Sequence, residues 1–414
     1  MVLFAFVFPI SLGGANSVLG LILVLWIIEG NFGHKLTIIK NEKIIWIFFA
    51  IGLLTLFSAL LSESMSHSFL AGEKKSLVRV ILSHYLMIPM ILVIALTSIK
   101  KAYLEHIISA FLLAILASEI VSYLIFFQVI DVTALQAKHF LYTGASIHNP
   151  TPFMHHTEYS VFLSVAAIFL LHKLIHTPNR YFQFFILLFL MSATTNLFIN
   201  GGRTGQISYI LGIMTYMIFH FKFNIKIILS TFIVLCGILL TAYSFSPTFQ
   251  QRSHMAIQDI HRVSQGHYDK SWGLRVAAIK VTLDYLFSSP GNFILGAGAG
   301  DCRQNYLTYA KEHFSANISE PIKVMAHLHN QYLEYWMDGT VFSLLLFLLY
   351  FFLLLKLPVP PAVKPILYAF IVIIAFASTT DIPFFRYQPA MLFMLISAYF
   401  ILLSKKDNQG TVTQ

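Results

Sequence analysis

Three side chains suggest chemistry by type and placement. Arg203 stands in the run Gly201-Gly202-Arg203-Thr204-Gly205 between two apolar segments, Arg275 in a long hydrophilic stretch, and His329 in His327-Leu328-His329-Asn330. A guanidinium is a rigid fork of donors that matches phosphate oxygens. A neutral imidazole near pH 7 can take a proton from a sugar hydroxyl. Two such forks and one base at a single membrane face would suit an enzyme handling an anionic, lipid-linked substrate.

Each group also has a plainer reading. The glycines around Arg203 let the backbone turn sharply and let a headgroup approach main-chain N–H groups, and Thr204 can cap the next helix. The alternative is a hairpin with a snorkelling arginine. Ser271–Phe287 reads as an amphipathic helix that Ser271 caps and Ser288-Ser289-Pro290-Gly291 ends. Its expected apolar stripe is Trp272, Val276, Ile279, Leu283 and Leu286, with Arg275 near the edge at phosphate depth; the alternative is an ordinary surface arginine. His329 could equally be a solvated loop histidine, or a helix-start residue with Asn330 as cap. His327 and His329 could pair on a metal, but no third ligand is near in sequence. His155-His156-Thr157-Glu158 opens an apolar segment, and Asp381 and Arg386 form a short loop; all could line one cavity. Gly296-Ala297-Gly298-Ala299-Gly300 lacks the Gly-Lys-Ser/Thr ending of a phosphate loop and is read as a close-packed or flexible turn. Glu119 lies within an apolar stretch, where ionisable residues are often functional, and has no partner legible in the sequence.

The elements that must position these groups lie in a membrane. Of 414 residues, 57% are hydrophobic and only 11% charged, against roughly 25% charged in soluble domains. Repeated apolar runs are helical spans, because helices satisfy their own backbone groups in lipid; the runs do not alternate as barrel strands would. The expected fold is an all-α polytopic membrane protein with about twelve transmembrane helices, at 2–12, 16–29, 43–61, 79–97, 105–129, 157–172, 181–199, 205–221, 225–243, 341–356, 363–379 and 388–403. Nine lie in 1–243 and three in 341–404. Between them 244–340 forms one large loop with amphipathic helices, and 405–414 is a tail. The N-terminus has no basic region or clear cleavage site, so it reads as a first span.

Charge orients the chain. If the N-terminus is cytoplasmic, thirteen lysines and arginines, Lys35, Lys173, Lys405 and Lys406 among them, fall in short cytoplasmic loops. Six, including Lys74, Lys75, Arg79 and Arg386, fall in outer ones. The bias puts both termini in the cytoplasm, and with it Arg203, Arg275 and His329 on the outer side. ATP and nucleotide sugars are not available there, so a synthetic reaction must use an already activated substrate. The net charge of +9 is scattered over short loops rather than gathered on a face, which excludes a nucleic-acid partner. Cys236 falls in an apolar span and Cys302 in the loop, so no disulfide is expected, and no zinc spacing exists.

The pattern resembles the O-antigen ligase family of bacterial inner-membrane glycosyltransferases. The likeness covers nearly the whole length in architecture. In motif it rests on Gly202-Arg203-Thr204-Gly205, the helix around Leu274-Arg275, the stretch from Ser289-Pro290 to Gly300, and His329-Asn330-Gln331-Tyr332 with Gly339 beyond. It implies a twelve-span enzyme moving a glycan from undecaprenyl pyrophosphate onto lipid A core, without metal, cofactor or nucleotide. It further implies that Arg203 and Arg275 bind the pyrophosphate and that His329 is the general base. The family's acidic residue late in the chain would correspond to Asp381. Gly202, Thr204, Asn330 and His156 are supporting candidates. The implied partners are the lipid-linked glycan, the lipid A-core acceptor and membrane lipids. Two rivals use the same donor, an O-antigen polymerase and a protein O-oligosaccharyltransferase. A transporter or flippase is weakened by the lack of paired broken spans or repeat halves.

Overall fold

A computed structural model describes residues 1–62 and 82–405. Lys74, Lys75, Arg79, Lys406, the start of the expected span 79–97 and nearly all of the expected tail 405–414 lie outside the described residues. Within them the chain is helical and forms no strand. The N-terminal half holds α1 (Val2–Val7), α2 (Leu12–Ile28), α3 (Phe32–Asn41), α4 (Lys43–Leu60), α5 (Ile88–Ser98), α6 (Leu104–Phe126), α7 (Val132–Ala137), α8 (His156–His176) and α9 (Arg180–Ile199). Next come α10 (Arg203–His220) and α11 (Ile225–Phe245). The large loop contributes α12 (Pro247–Ser264), α13 (Ser271–Phe287), α14 (Pro290–Leu295), α15 (Cys302–His313), α16 (Ala316–Ile322) and α17 (Gln331–Glu334), the last running into a π-turn, Tyr335–Gly339. The chain closes with α18 (Val341–Leu355), α19 (Lys364–Thr380) and α20 (Tyr387–Ser404).

Polar residues mark where the apolar runs begin. Asn179, Asn224 and Thr340 each accept an N–H of the first turn of α9, α11 and α18, satisfying donors a helix start leaves open. Among the described residues, six helices are long and apolar enough to cross a membrane: α4, α6 with its leading turn, α8, α9, α11 and α20. The pair α2–α3, bent by 116°, makes a seventh if it is one span, and α5, α18 and α19 are shorter apolar helices. The expected span 2–12 does not form. α1 has 6 residues, about 9 Å of helix, and packs against α6. The exposed faces of α9 and α11 carry Phe184, Phe185, Phe232, Ile233 and Leu240, as a lipid-facing surface should.

Two packing centres matter for the site. In the first, α10 lies between α8 and α19. A Cβ on Gly205 would come 2.2 Å from a backbone carbon of Ser160, and one on Gly212 2.8 Å from Ile373. Small residues let these backbones approach, as in other membrane helix pairs. In the second, the large loop builds its own core from Ala277, Val281, Leu286, Tyr306, Ile322, Leu328 and Met337. This corrects the stripe expected for α13. Its buried face is Gly273, Ala277, Ala278, Val281, Thr282, Tyr285 and Leu286, whereas Trp272 is 41% exposed and Leu283 36%.

The helix ends far from the site share another face, tied by Lys173–Glu105 at 2.7 Å and Lys405–Glu42 at 3.8 Å. Glu119 gains the partner that the sequence could not supply, accepting a hydrogen bond from the Ser192 hydroxyl. Both cysteines are unbonded thiols.

Candidate active site

Four pieces of chain meet at one end of the bundle: the turn before α10, the start of α13, the turn before α17, and the link from α19 to α20. The turn before α10 is shaped by space, not by backbone freedom. Gly202 is the N-cap of α10 with φ −83°, a value open to any residue. A Cβ there would lie 2.3 Å from Ser160 Oγ and 2.6 Å from His156 O. Gly202 therefore admits the close approach of α8. Thr204 does not cap α10 either. It lies inside the helix, and its hydroxyl meets that of Thr380 at 2.9 Å, one residue before Asp381. Ser160 Oγ accepts instead from the Gly205 N–H at 3.2 Å.

Ser271 likewise is not the cap of α13. That position is Lys270, without a side-chain bond. Ser271 Oγ accepts from Arg275 Nη1 at 2.9 Å and from Arg203 Nη2 at 3.2 Å. The two arginines thus converge on one hydroxyl, although 72 positions separate them in sequence. Arg252 of α12 completes this half. A Cβ on Gly201 would lie 3.2 Å from its Nε and Nη2, so its guanidinium rests on the turn that carries Arg203. Sequence reading missed Arg252. Its only signal was its place in the second turn of a helix that starts, with Pro247, where a span ends.

The other half is built on a strained turn. His329 has φ +53°, a left-handed conformation uncommon outside glycine. Asn330 caps α17, its Oδ1 accepting from Tyr332 N and Leu333 N at 3.0 and 3.1 Å, and its Nδ2 donates to Thr379 O at 3.3 Å. Glu334, 1% exposed, accepts the Leu328 N–H at 2.9 Å and so braces the turn from below. His329 Nδ1 stands 3.8 Å from Asp381 Oδ1, an ion-pair rather than a hydrogen-bond distance. His327 Nε2 meets Arg386 Nη2 at 3.1 Å, and Arg386 Nε reaches Glu158 at 4.0 Å. His156 begins α8, packs its ring against that of His155 with centroids 3.9 Å apart and has Nδ1 3.3 Å from Asn149 Nδ2. The loop bearing Asp381 and Arg386 and the segment from His155 to Glu158 therefore do meet in one place.

The electrostatics follow from burial and neighbours. Burial alone would raise the Asp381 carboxyl, but His329, His327, Arg386 and the Ile382 N–H together hold it well below the usual carboxylate range. Burial, reinforced by His329 and Arg386, lowers His327 from 6.5 to about 3, so that ring is neutral at pH 7. Both ring nitrogens of His327 face donors, Nε2 the Arg386 guanidinium at 3.1 Å and Nδ1 the His329 N–H at 3.2 Å, and a neutral imidazole can accept from only one of them. One ligand atom from each of His327, His329 and Asp381 lies within 4.8 Å of the others. The fold thus supplies the third ligand that the sequence lacked. Arg386 already sits on His327, however, and Arg275 bears on it electrostatically. Fixed cations favour an anion here over a metal dication.

Chemically, one half can hold an anion with several guanidinium donors. The other offers an imidazole whose Nδ1 faces a carboxylate, the arrangement that leaves Nε2 free to act as a base. Residues 186–348 match the model of a protein family described as O-antigen ligase. The matched segment includes Arg203, Arg275 and His329, while Asp381 and Arg386 lie beyond it. No curated protein matches the chain. The match supports an O-antigen ligase family assignment and, with it, glycosyl transfer of the ligase or polymerase type.

Proposed function

We propose that the protein is an O-antigen ligase that transfers a glycan from undecaprenyl pyrophosphate to a sugar hydroxyl of lipid A core. The observation that carries this reading is the sharing of one Ser271 hydroxyl by Arg203 and Arg275, at the same bundle end as the His329–Asp381 pair. Arg203 and Arg275 bind the pyrophosphate. His329 removes the acceptor proton, and Asp381 orients its ring. The acceptor oxygen attacks the anomeric carbon as the bond to pyrophosphate breaks, which inverts that centre. No metal is used. Guanidiniums neutralise the leaving group, and alignment of hydroxyl, carbon and leaving oxygen lowers the barrier further. Gly202, Thr204, Asn330 and His156 act through the backbone and helix contacts described above.

In this reading the site faces the periplasm from the bacterial inner membrane, with both termini cytoplasmic. The lysines gathered at the far helix ends, Lys173 and Lys405 among them, support that orientation. The large loop, 244–340, is then periplasmic.

The test is transfer in detergent by purified protein, with undecaprenyl-pyrophosphate glycan and lipid A core, alongside His329→Ala. The expected result is glycosylated core, reduced by about 10²–10⁴-fold in the variant while donor binding persists. Longer lipid-linked glycans in place of glycosylated core would make the protein a polymerase, and the absence of either product would overturn the reading.

A further inference from the structure

One charged group near the site has no role so far. Arg252 is half-buried, and makes no hydrogen bond or ion pair with the described residues. Its position is nevertheless built. The Ser246 hydroxyl, which caps α12, donates to Phe198 O at 2.8 Å, and Phe249 packs edge-on against Phe198 at 5.2 Å. These contacts clamp the first turn of α12 to the end of α9, and Arg252 follows within one turn. The clamp sets its guanidinium on the Gly201 backbone, 3.2 Å from where a Cβ would stand.

Three guanidiniums then crowd together. Arg275 and Arg252 both act on Arg203, and Arg203 and Arg275 share a hydroxyl. Asp259 and Asp381 are the carboxylates that act on Arg275. Asp259 is 5% exposed and also takes the Trp272 N–H at 3.3 Å, while Asp381 also serves the histidines and Arg386. Like charges this close repel unless an anion joins them.

We infer that Arg252 is a third phosphate ligand, placed to take the negative charge that appears on the leaving diphosphate as the glycosidic bond breaks. This rests on the glycan-transfer reading above. A prenyl diphosphate esterified to a sugar carries two negative charges. When the acceptor oxygen bonds to the anomeric carbon, the electron pair of the broken C–O bond stays on the diphosphate and the acceptor proton goes to His329. The released prenyl diphosphate carries a third charge, and a third cation, without an ion pair among the described residues, meets it. Arg203 and Arg275 recognise the donor; Arg252 contributes most once the bond is breaking, so its effect should fall on kcat more than on KM.

The experiment uses the full chain in detergent, with undecaprenyl pyrophosphate as the product probe and undecaprenyl-pyrophosphate glycan as donor. Wild type is compared with Arg252→Gln and Arg252→Lys. The Gln variant should bind undecaprenyl pyrophosphate about 10- to 100-fold more weakly and lose kcat by a similar factor with donor KM nearly unchanged, while Lys recovers most of both. If Gln binds the product as wild type does while wild type binds and turns over normally, the Arg252 inference alone is overturned. Equal losses in Gln and Lys, with a lowered melting temperature in both, would make Arg252 structural and overturn it too. Should wild type fail to bind undecaprenyl pyrophosphate, the glycan-transfer reading falls and this inference with it.

Discussion

The turns before α10 and α17 both deliver a candidate site side chain, Arg203 or His329, to the head of a helix, yet they are built in opposite ways. The first is rich in glycine but has no glycine-only conformation. Gly202 and Gly205 are demanded by Ser160 and His156 pressing from α8. The second adopts a left-handed conformation at His329, where glycine would be easiest, and keeps a histidine. It is held by polar braces instead: Asn330 to Thr379 and Glu334 to Leu328. One turn is fixed by contact and resists an added atom at Gly202 and Gly205. The other is fixed by hydrogen bonds and stores strain at the proposed base, a common trade at working sites.

The largest effect should come from adding one carbon to the first turn. Gly205→Ala sets a Cβ against Ser160 backbone, 2.2 Å away, so α8 and α10 must separate; overpacking of this kind destabilises by about 1–3 kcal/mol. Gly201→Ala meets only the flexible guanidinium of Arg252 at 3.2 Å and should be far milder. Thermal unfolding in detergent compares the two, and equal melting temperatures would mean that contact does not shape this turn.

In the second turn the brace is the weak point. Glu334→Ala leaves the buried Leu328 N–H without its acceptor, a loss of about 1–3 kcal/mol. Transfer should fall along with stability, while undecaprenyl pyrophosphate still binds at the arginines. Loss of pyrophosphate binding in this variant would show that the two halves are not mechanically separate.

Glu334 also makes the second turn sensitive to pH. It is buried with Asp338, also 1% exposed, one turn along the same helix face. Burial raises Asp338 to about 7, and burial, with Asp338 beside it, raises Glu334 well above the usual carboxylate range. In the unfolded chain both lose their protons near pH 4. Between about pH 4 and 7 the folded state therefore holds more protons, and stability falls as pH rises. Asp338→Asn should flatten that fall, visible as a melting temperature less dependent on pH between 5 and 8. A variant with the wild-type slope would remove Asp338 as its source.

Sequence showed the helical membrane class, the bounds of α9, α10 and α11 to within two residues, and the groups Arg203, Arg275, His329 and Asp381 that the fold brings to one end. It failed where spacing alone carries no information. Thr204 and Ser271 look like caps because both types favour helix starts, yet Thr204 bonds across to Thr380 and Ser271 receives two arginines. Those roles depend on elements 176 and 68 positions away. The span expected at 2–12 failed because apolarity does not specify an unbroken helix, and Pro9 falls inside it, where it lacks the N–H that a continuing helix needs. Arg252 was invisible because nothing in its neighbourhood says that α12 folds back onto the end of α9.

The smallest effect tests the strain itself. If His329 is held at φ +53° by its surroundings, glycine there should be more stable than alanine, since a left-handed conformation disfavours any Cβ by about 1 kcal/mol. Both His329→Gly and His329→Ala lack the imidazole, so both should lose transfer equally. Their difference isolates the backbone from the chemistry. Elsewhere glycine normally weakens a fold through its extra unfolded freedom, so a higher melting temperature for Gly than for Ala would be a reversal of the usual order, attributable to this turn. The usual order, Ala above Gly, would mean that the turn relaxes once the ring is gone. The histidine would then create the strain by its contacts with Asp381 and His327, rather than tolerate a strain imposed by Asn330 and Glu334.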